Sequence, residues 1–150
     1  MTKIHPTAVV DPQAELGDDV RIGPYAVVEG PVQLGAGCVL DAHAVVVGHT
    51  TLGDGNRVFP GAVIGAEPQD LKHDGSATRL EIGDGNRFRE HVTVHPGTPG
   101  AGGVTRIGSR GLFMVGSHVA HDCTVGDDVI LANHVLLAGH VTIHDRAILN

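Results

Sequence analysis

Every sixth residue from Ile4 onward is aliphatic: Ile4, Val10, Leu16, Ile22, Val28, Leu34, Leu40, Val46, Leu52, Val58 and Ile64. The run breaks at Asp70 and Ser76 and resumes in phase at Ile82, Phe88 and Val94. It then slips by one place and continues through Ile107, Phe113, Val119, Val125, Leu131, Leu137, Ile143 and Leu149. None of these 22 anchors is polar, although Ile, Leu, Val and Phe supply only 43 of 150 residues, so chance does not account for the pattern. An α-helix repeats every 3.6 residues and cannot carry a strict period of six; a fixed short repeat of this kind marks a solenoid.

Four places after most anchors stands a small or modest side chain, among them Ala8, Ala14, Ala26, Cys38, Ala44, Asn56, Ala62, Ser117 and Cys123. Side chains alternate along a strand, so this position and the next anchor, two residues on, face the same way. Gly and Asp crowd the remaining positions, as in GDD at Gly17 and Gly126 and GDGN at Gly53 and Gly83, and both residues tolerate tight bends. Each hexad therefore reads as one short strand plus one corner. A strand this short cannot bury its inner face alone, so hexads must wind and stack in parallel ladders. Aromatics at 3% fit a thin interior filled by branched aliphatic side chains.

Composition narrows the partners. Ten basic residues against seventeen acidic ones give a net charge of −7, and no Lys/Arg cluster is present to track a phosphate backbone, so nucleic acid is excluded as an expected partner. Cys38 and Cys123 stand 85 positions apart without a CxxC pair, and MTKIHPTAVV has no leader pattern; a reduced, cytoplasmic protein is expected. Apolar runs such as Ala44 to Val47 fall far short of the roughly 20 residues of a membrane span.

The imperfect hexapeptides, such as IGPYAV, LGAGCV and LANHVL, resemble those of the left-handed parallel β-helix acyltransferases. The resemblance implies an all-β left-handed parallel β-helix, three hexads per triangular coil of 18 residues, and assembly as a homotrimer. Two segments leave the repeat and read as loop insertions, residues 66–79 and 95–106, and insertions in a solenoid commonly sit on the binding face.

Histidines concentrate late in the chain: His91, His95, His118, His121, His134, His140 and His144. Relative to their anchors, His95 and His118 fall on the outside of the coil and His121 and His140 at corners, while His134 and His144 read as surface residues. With 18 residues per coil, Gly139 stacks one rung from His121, roughly 4.8 Å away, which places a backbone amide beside an imidazole. Imidazole is the side chain able to take and return a proton at neutral pH. Asp122 would orient His121, provided the pair sits at a bend, because neighbours on a regular strand point to opposite faces. Cys123 falls at an inward position and reads as packing.

Four stretches, QDLK (Gln69 to Lys72), VTVHPGT (Val92 to Thr98), SHVAHDCTVG (Ser117 to Gly126) and LAGH (Leu137 to His140), resemble the UDP-N-acetylglucosamine O-acyltransferase family. The resemblance implies transfer of a 3-hydroxyacyl chain from acyl carrier protein to the glucosamine 3-hydroxyl of UDP-N-acetylglucosamine, the opening step of lipid A biosynthesis, with no cofactor and no metal. Carried over residue by residue, His121 is the general base, Asp122 its orienting partner and Gly139 the donor to the oxyanion. Asp70, Lys72, His95, His118 and His140 line the sugar and acyl clefts between subunits. Members of the family continue into further coils and a helical domain beyond the place where this sequence stops at Asn150.

Three other readings stand beside this one: a hexapeptide acetyltransferase using acetyl-CoA, a UDP-sugar-binding remnant without turnover, and carbonic-anhydrase-type metal hydration. Against the last, His118 and His121 are only three apart.

Overall fold

The computed structural model describes residues Met1–Asn150 and consists of 22 short strands with a single 3₁₀ turn at Pro99–Ala101. Each strand contains one of the 22 anchors. The strands assemble into three parallel sheets, the faces of a left-handed triangular prism. Face A has eight strands, from Lys3–Ile4 to Ile148–Leu149. Face B has seven, from Val9–Val10 to Leu136–Leu137, and face C has seven, from Glu15–Leu16 to Thr142–Ile143. Regular rungs pair residues eighteen apart, as Ile22 with Leu40 and Val119 with Leu137. No helix is long and apolar enough to cross a membrane.

The anchors and the small residues two places before them fill the interior. Val28, Val46, Val58, Ile64, Phe88, Val94, Phe113, Val119 and Leu131 are all fully enclosed, as are Ala26, Ala44, Ala62, Cys38 and Cys123. Phe88 and Phe113 stack on consecutive rungs of face A with centroids 4.8 Å apart. The inward amides are satisfied within the ladder, whereas the enclosed Ser117 hydroxyl has no partner. Asn56 Nδ2 donates to the Gly53 and Gly83 carbonyls, and Asn86 donates through its backbone N–H and Nδ2 to Asn56 Oδ1, which removes the desolvation cost of burying two amides.

The phase behaviour of the repeat has a structural cause. Leu52 pairs with Ile82 across thirty positions instead of eighteen, so the first insertion is twelve residues, two whole hexads, and the register resumes in phase. Ile82 pairs with Ile107 across twenty-five positions, an insertion of seven, which is the one-place slip. Both insertions leave the same edge of the prism, where face B hands over to face C, after Ile64 and after Val94.

The loop boundaries differ from the sequence expectation at their C-terminal ends. Arg79 and Val104–Arg106, expected in the loops, belong to strands Arg79–Ile82 and Val104–Ile107, which pair in register. Leu80 and Thr105 point inward with no exposed surface, so the inward position preceding each anchor is kept even where the hexad count is interrupted.

Candidate active site

The B-to-C edge stacks four tiers on consecutive coils: the loop bearing Asp70 and Lys72, the loop bearing His95 and Thr98, the corner His121–Asp122, and the corner Gly139–His140. The bend required for adjacent residues to face each other is present. Asp122 has φ 61° and His140 φ 63°, and this left-handed conformation swings the Asp122 carboxylate back to His121, with Nδ1 2.8 Å from Oδ2. The strain of that conformation is tolerable for Asp, and the surrounding hydrogen bonds over-determine it.

Those bonds come largely from residues that the sequence pattern did not single out. Thr98 donates its N–H to Asp122 Oδ1 at 2.9 Å and its hydroxyl to Oδ2 at 2.6 Å, and the Asp122 N–H donates to Thr105 Oγ1 at 2.9 Å. The Asp122 side chain is only 3% exposed. Burial works against its charge, but the Thr98 hydroxyl, the Thr98 amide and His121 outweigh it and hold the carboxyl below its ordinary range.

His121 lies flat against Gly139. A Cβ built on Gly139 would sit 2.4 Å from Cε1 and 2.7 Å from Nε2 of the imidazole, so only glycine permits this approach. The Gly139 N–H is engaged by none of the chain's hydrogen bonds. His140 packs edge-on against His121 with centroids 5.1 Å apart, and its Nε2 lies 3.8 Å from Asp122 Oδ2. From the first loop, Asp70 brings Oδ2 to 3.7 Å from His121 Nε2. The Lys72 N–H, 2.9 Å from Asp70 Oδ1, is the leading cause of that carboxyl's lowered pKa. The Lys72 side chain is exposed and, with Asp70, Thr98, Gly100 and His140, lines a cleft of about 240 Å³ between the two loops.

His95 and His118 form a separate pair beside this group, edge-to-face at 4.8 Å. The outward side of the coil does not leave them solvated: each is half-buried, and His95 Nδ1 and His118 Nε2 are enclosed without a partner. His118 Nδ1 meets Thr93 Oγ1 at 2.7 Å. Burial, with the neighbouring His118 and His121, pushes His95 down to about 4, and burial also lowers His118. His134 and His144 are exposed, and Cys123 is enclosed with its Sγ 3.2 Å from the Ala138 carbonyl and its thiol pushed up by burial. Cys123 is thus a packed thiol.

The depressed His95 value has a sign that can be tested. The unfolded chain protonates His95 below about pH 6.5 and the folded chain only near 4, so between those values the unfolded state binds more protons and stability falls as pH falls. His95→Gln is expected to flatten the loss of urea resistance between pH 7 and pH 4.5 by roughly 1 kcal/mol, after discounting for partial exposure. An unchanged pH slope in the variant contradicts this assignment.

Ligand atoms of His121, Asp122 and His140 fall within 4.8 Å of one another, a spread that a cation could draw together. Asp122 Oδ2, however, already receives the Thr98 hydroxyl and faces His121 Nδ1, so a metal would have to displace both. What the edge offers instead is an imidazole with one nitrogen fixed by a carboxylate, the other nitrogen open, and an unengaged amide against the ring. That combination suits proton abstraction beside a developing oxyanion.

No family model matches the chain. It is 60% identical over 149 residues to the acyl-(acyl-carrier-protein)–UDP-N-acetylglucosamine O-acyltransferase of Alkalilimnicola ehrlichii, covering 99% of this chain and 58% of that one. It is 61% identical over 130 residues to the enzyme of the same name from an Anaeromyxobacter species, covering 87% of this chain and 51% of the relative. The chain thus spans about half the length of the curated relatives it matches. The crystal structure of UDP-N-acetylglucosamine O-acyltransferase from Moraxella catarrhalis superposes with a TM-score of 0.95 at 49% identity, over 97% of this chain and 56% of that one. In both sequence and fold, nearly the whole of this chain is similar to about half of a UDP-N-acetylglucosamine O-acyltransferase.

Proposed function

We propose that this chain carries the acyl-transfer centre of an enzyme that moves a 3-hydroxyacyl chain from acyl carrier protein to the 3-hydroxyl of UDP-N-acetylglucosamine, in the cytoplasm, as the first step of lipid A biosynthesis. The observation that carries the reading is the His121 ring, anchored through Nδ1 to Asp122 and pressed against Gly139. When the ring is in its Nδ1–H form with that hydrogen directed at Asp122, the lone pair at Nε2 faces Asp70 Oδ2, 3.7 Å away. Two acceptors facing each other call for donors between them, and a sugar with adjacent hydroxyls supplies them.

Nε2 takes the proton of the 3-hydroxyl as its oxygen attacks the thioester carbonyl carbon. The tetrahedral oxyanion accepts a hydrogen bond from the Gly139 N–H. Collapse breaks the carbon–sulfur bond, and the carrier thiolate recovers the proton from His121, leaving an ester on the sugar and a free thiol. Asp70 and Lys72 hold the sugar nucleotide, while the neutral pair His95 and His118, with His140, lines the acyl path. A half-buried imidazole pair that resists protonation is compatible with an apolar chain.

The working form is a homotrimer whose contact surface includes face B. There Val9, Val27, Val45 and Val63 follow one another outward on successive rungs, and the column continues through Thr93 and His118 to Leu136. Val9 and Leu136 are 62% and 68% exposed, and a second copy seated on this stripe would also shelter the adjoining histidine edge.

The complete gene product, incubated with UDP-N-acetylglucosamine and a series of 3-hydroxyacyl carrier proteins, is expected to yield the 3-O-acylated nucleotide sugar by mass spectrometry. Product formed from acetyl-CoA and not from the acyl carrier protein would replace the donor. Calorimetric binding of the nucleotide sugar without any turnover would replace catalysis by binding.

A further inference from the structure

The hexad pattern places no loop residue at the His121–Asp122 corner, yet the second insertion comes down onto it. Thr98 gives both of its donors to one carboxylate: the N–H to Oδ1 and the hydroxyl to Oδ2, the oxygen that His121 Nδ1 also faces. Thr98 is 6% exposed. Its place is set from the preceding residue. Gly97 packs so closely on the returning strand that a Cβ there would lie 2.1 Å from Val104 N, and its N–H donates to the Arg79 carbonyl at 3.2 Å.

A carboxylate reached only by the adjacent imidazole could rotate about its χ angles. One whose two oxygens are each held by a donor from another coil cannot. Because an ionised carboxylate only accepts, a ring nitrogen pointed at a fixed one must carry its hydrogen there, which in the neutral imidazole leaves the other nitrogen bare. We propose that Thr98 is a positioning residue for the candidate base: it locks the Asp122 carboxylate so that His121 is held as the Nδ1–H tautomer with Nε2 open. The insertion loop thereby completes the dyad as well as walling the cleft. The kinetic part of this inference rests on the acyl-transfer reading; the tautomer part does not.

Thr98→Val deletes the hydroxyl and keeps the backbone donor and the side-chain shape, while Thr98→Ser keeps both donors. In the complete gene product, the side-chain ¹⁵N signals of His121 are expected to show the Nδ1–H form in the wild type, a shift toward the Nε2–H form in T98V, and a return in T98S. In parallel, kcat is expected to fall about tenfold in T98V with KM within about twofold, and to recover in T98S. A T98V protein that melts earlier but keeps the wild-type ¹⁵N pattern would show Thr98 to be structural only and overturn the proposal, as would unchanged spectra with unchanged kcat. If the wild type transfers no acyl chain while the T98V spectrum still shifts, the acyl-transfer reading fails and the positioning role stands.

Discussion

His121→Ala is expected to lower kcat for acyl transfer by a factor on the order of 10² to 10⁴, the range usually carried by a positioned general base. The fold should survive it. His121 occupies a corner, outside the hydrophobic interior, and its removal leaves Asp122 still receiving two bonds from Thr98 and offering its N–H to Thr105. The lost Nδ1 contact is worth about 1 to 3 kcal/mol of stability, small beside the kinetic effect. Matched thermal melts and single-turnover rates separate the two. Wild-type turnover in the variant would remove His121 as the base and, with it, the reading of the whole edge.

Gly139→Ala tests the same geometry from the next rung. The substitution adds one methyl group, and the backbone at Gly139 is outside the left-handed region, so alanine brings no conformational strain. The methyl would lie 2.4 Å from His121 Cε1 and 2.7 Å from Nε2, inside any van der Waals distance, and the neighbouring atoms in its way are those of the imidazole. The ring must turn away, taking Nε2 off the substrate hydroxyl. Displacement of a reacting group by about 1 Å commonly costs on the order of 10²-fold in rate, and a loss of that size is expected in kcat with little change in melting temperature. Gly37→Ala is the counterpart: its added methyl meets nothing, but φ is 70°, so it should cost about 1 kcal/mol of stability and leave kcat alone. If G139A retains full activity, the amide and the imidazole do not share a substrate.

The scaffold was legible because its rule is local. An inward anchor every six residues needs no knowledge of distant partners, and the in-phase return at Ile82 and the slip at Ile107 agree with the insertions of twelve and seven residues that the strand register shows. His121 and Gly139 were legible for the same reason, being one coil apart in an uninterrupted stretch. Thr98 was not, since it reaches Asp122 across 24 positions from inside a loop whose path no period describes, and Thr105 was hidden because the hexad count lapses just before it. The approach of Asp70 to His121 spans 51 positions and likewise depends on how the first loop folds back. The outward placement of His95 and His118 held, but outward did not mean wet: each is half-buried, His118 meets Thr93, and one ring nitrogen of each is enclosed.

Both excursions from the coil depart at one vertex on adjacent turns, and they differ in length, twelve residues against seven, while the ladders on either side stay aligned. Each turn is clamped by the turns before and after it, so a length change at that vertex is absorbed locally and does not propagate into the stack. Specificity in such an architecture can drift by rewriting two short excursions while the stack beneath them is conserved. The same clamping forbids the opposite experiment of nature: a single extra hexad between His121 and Gly139 would rotate everything after it by one side of the triangle and dismantle the centre at a stroke.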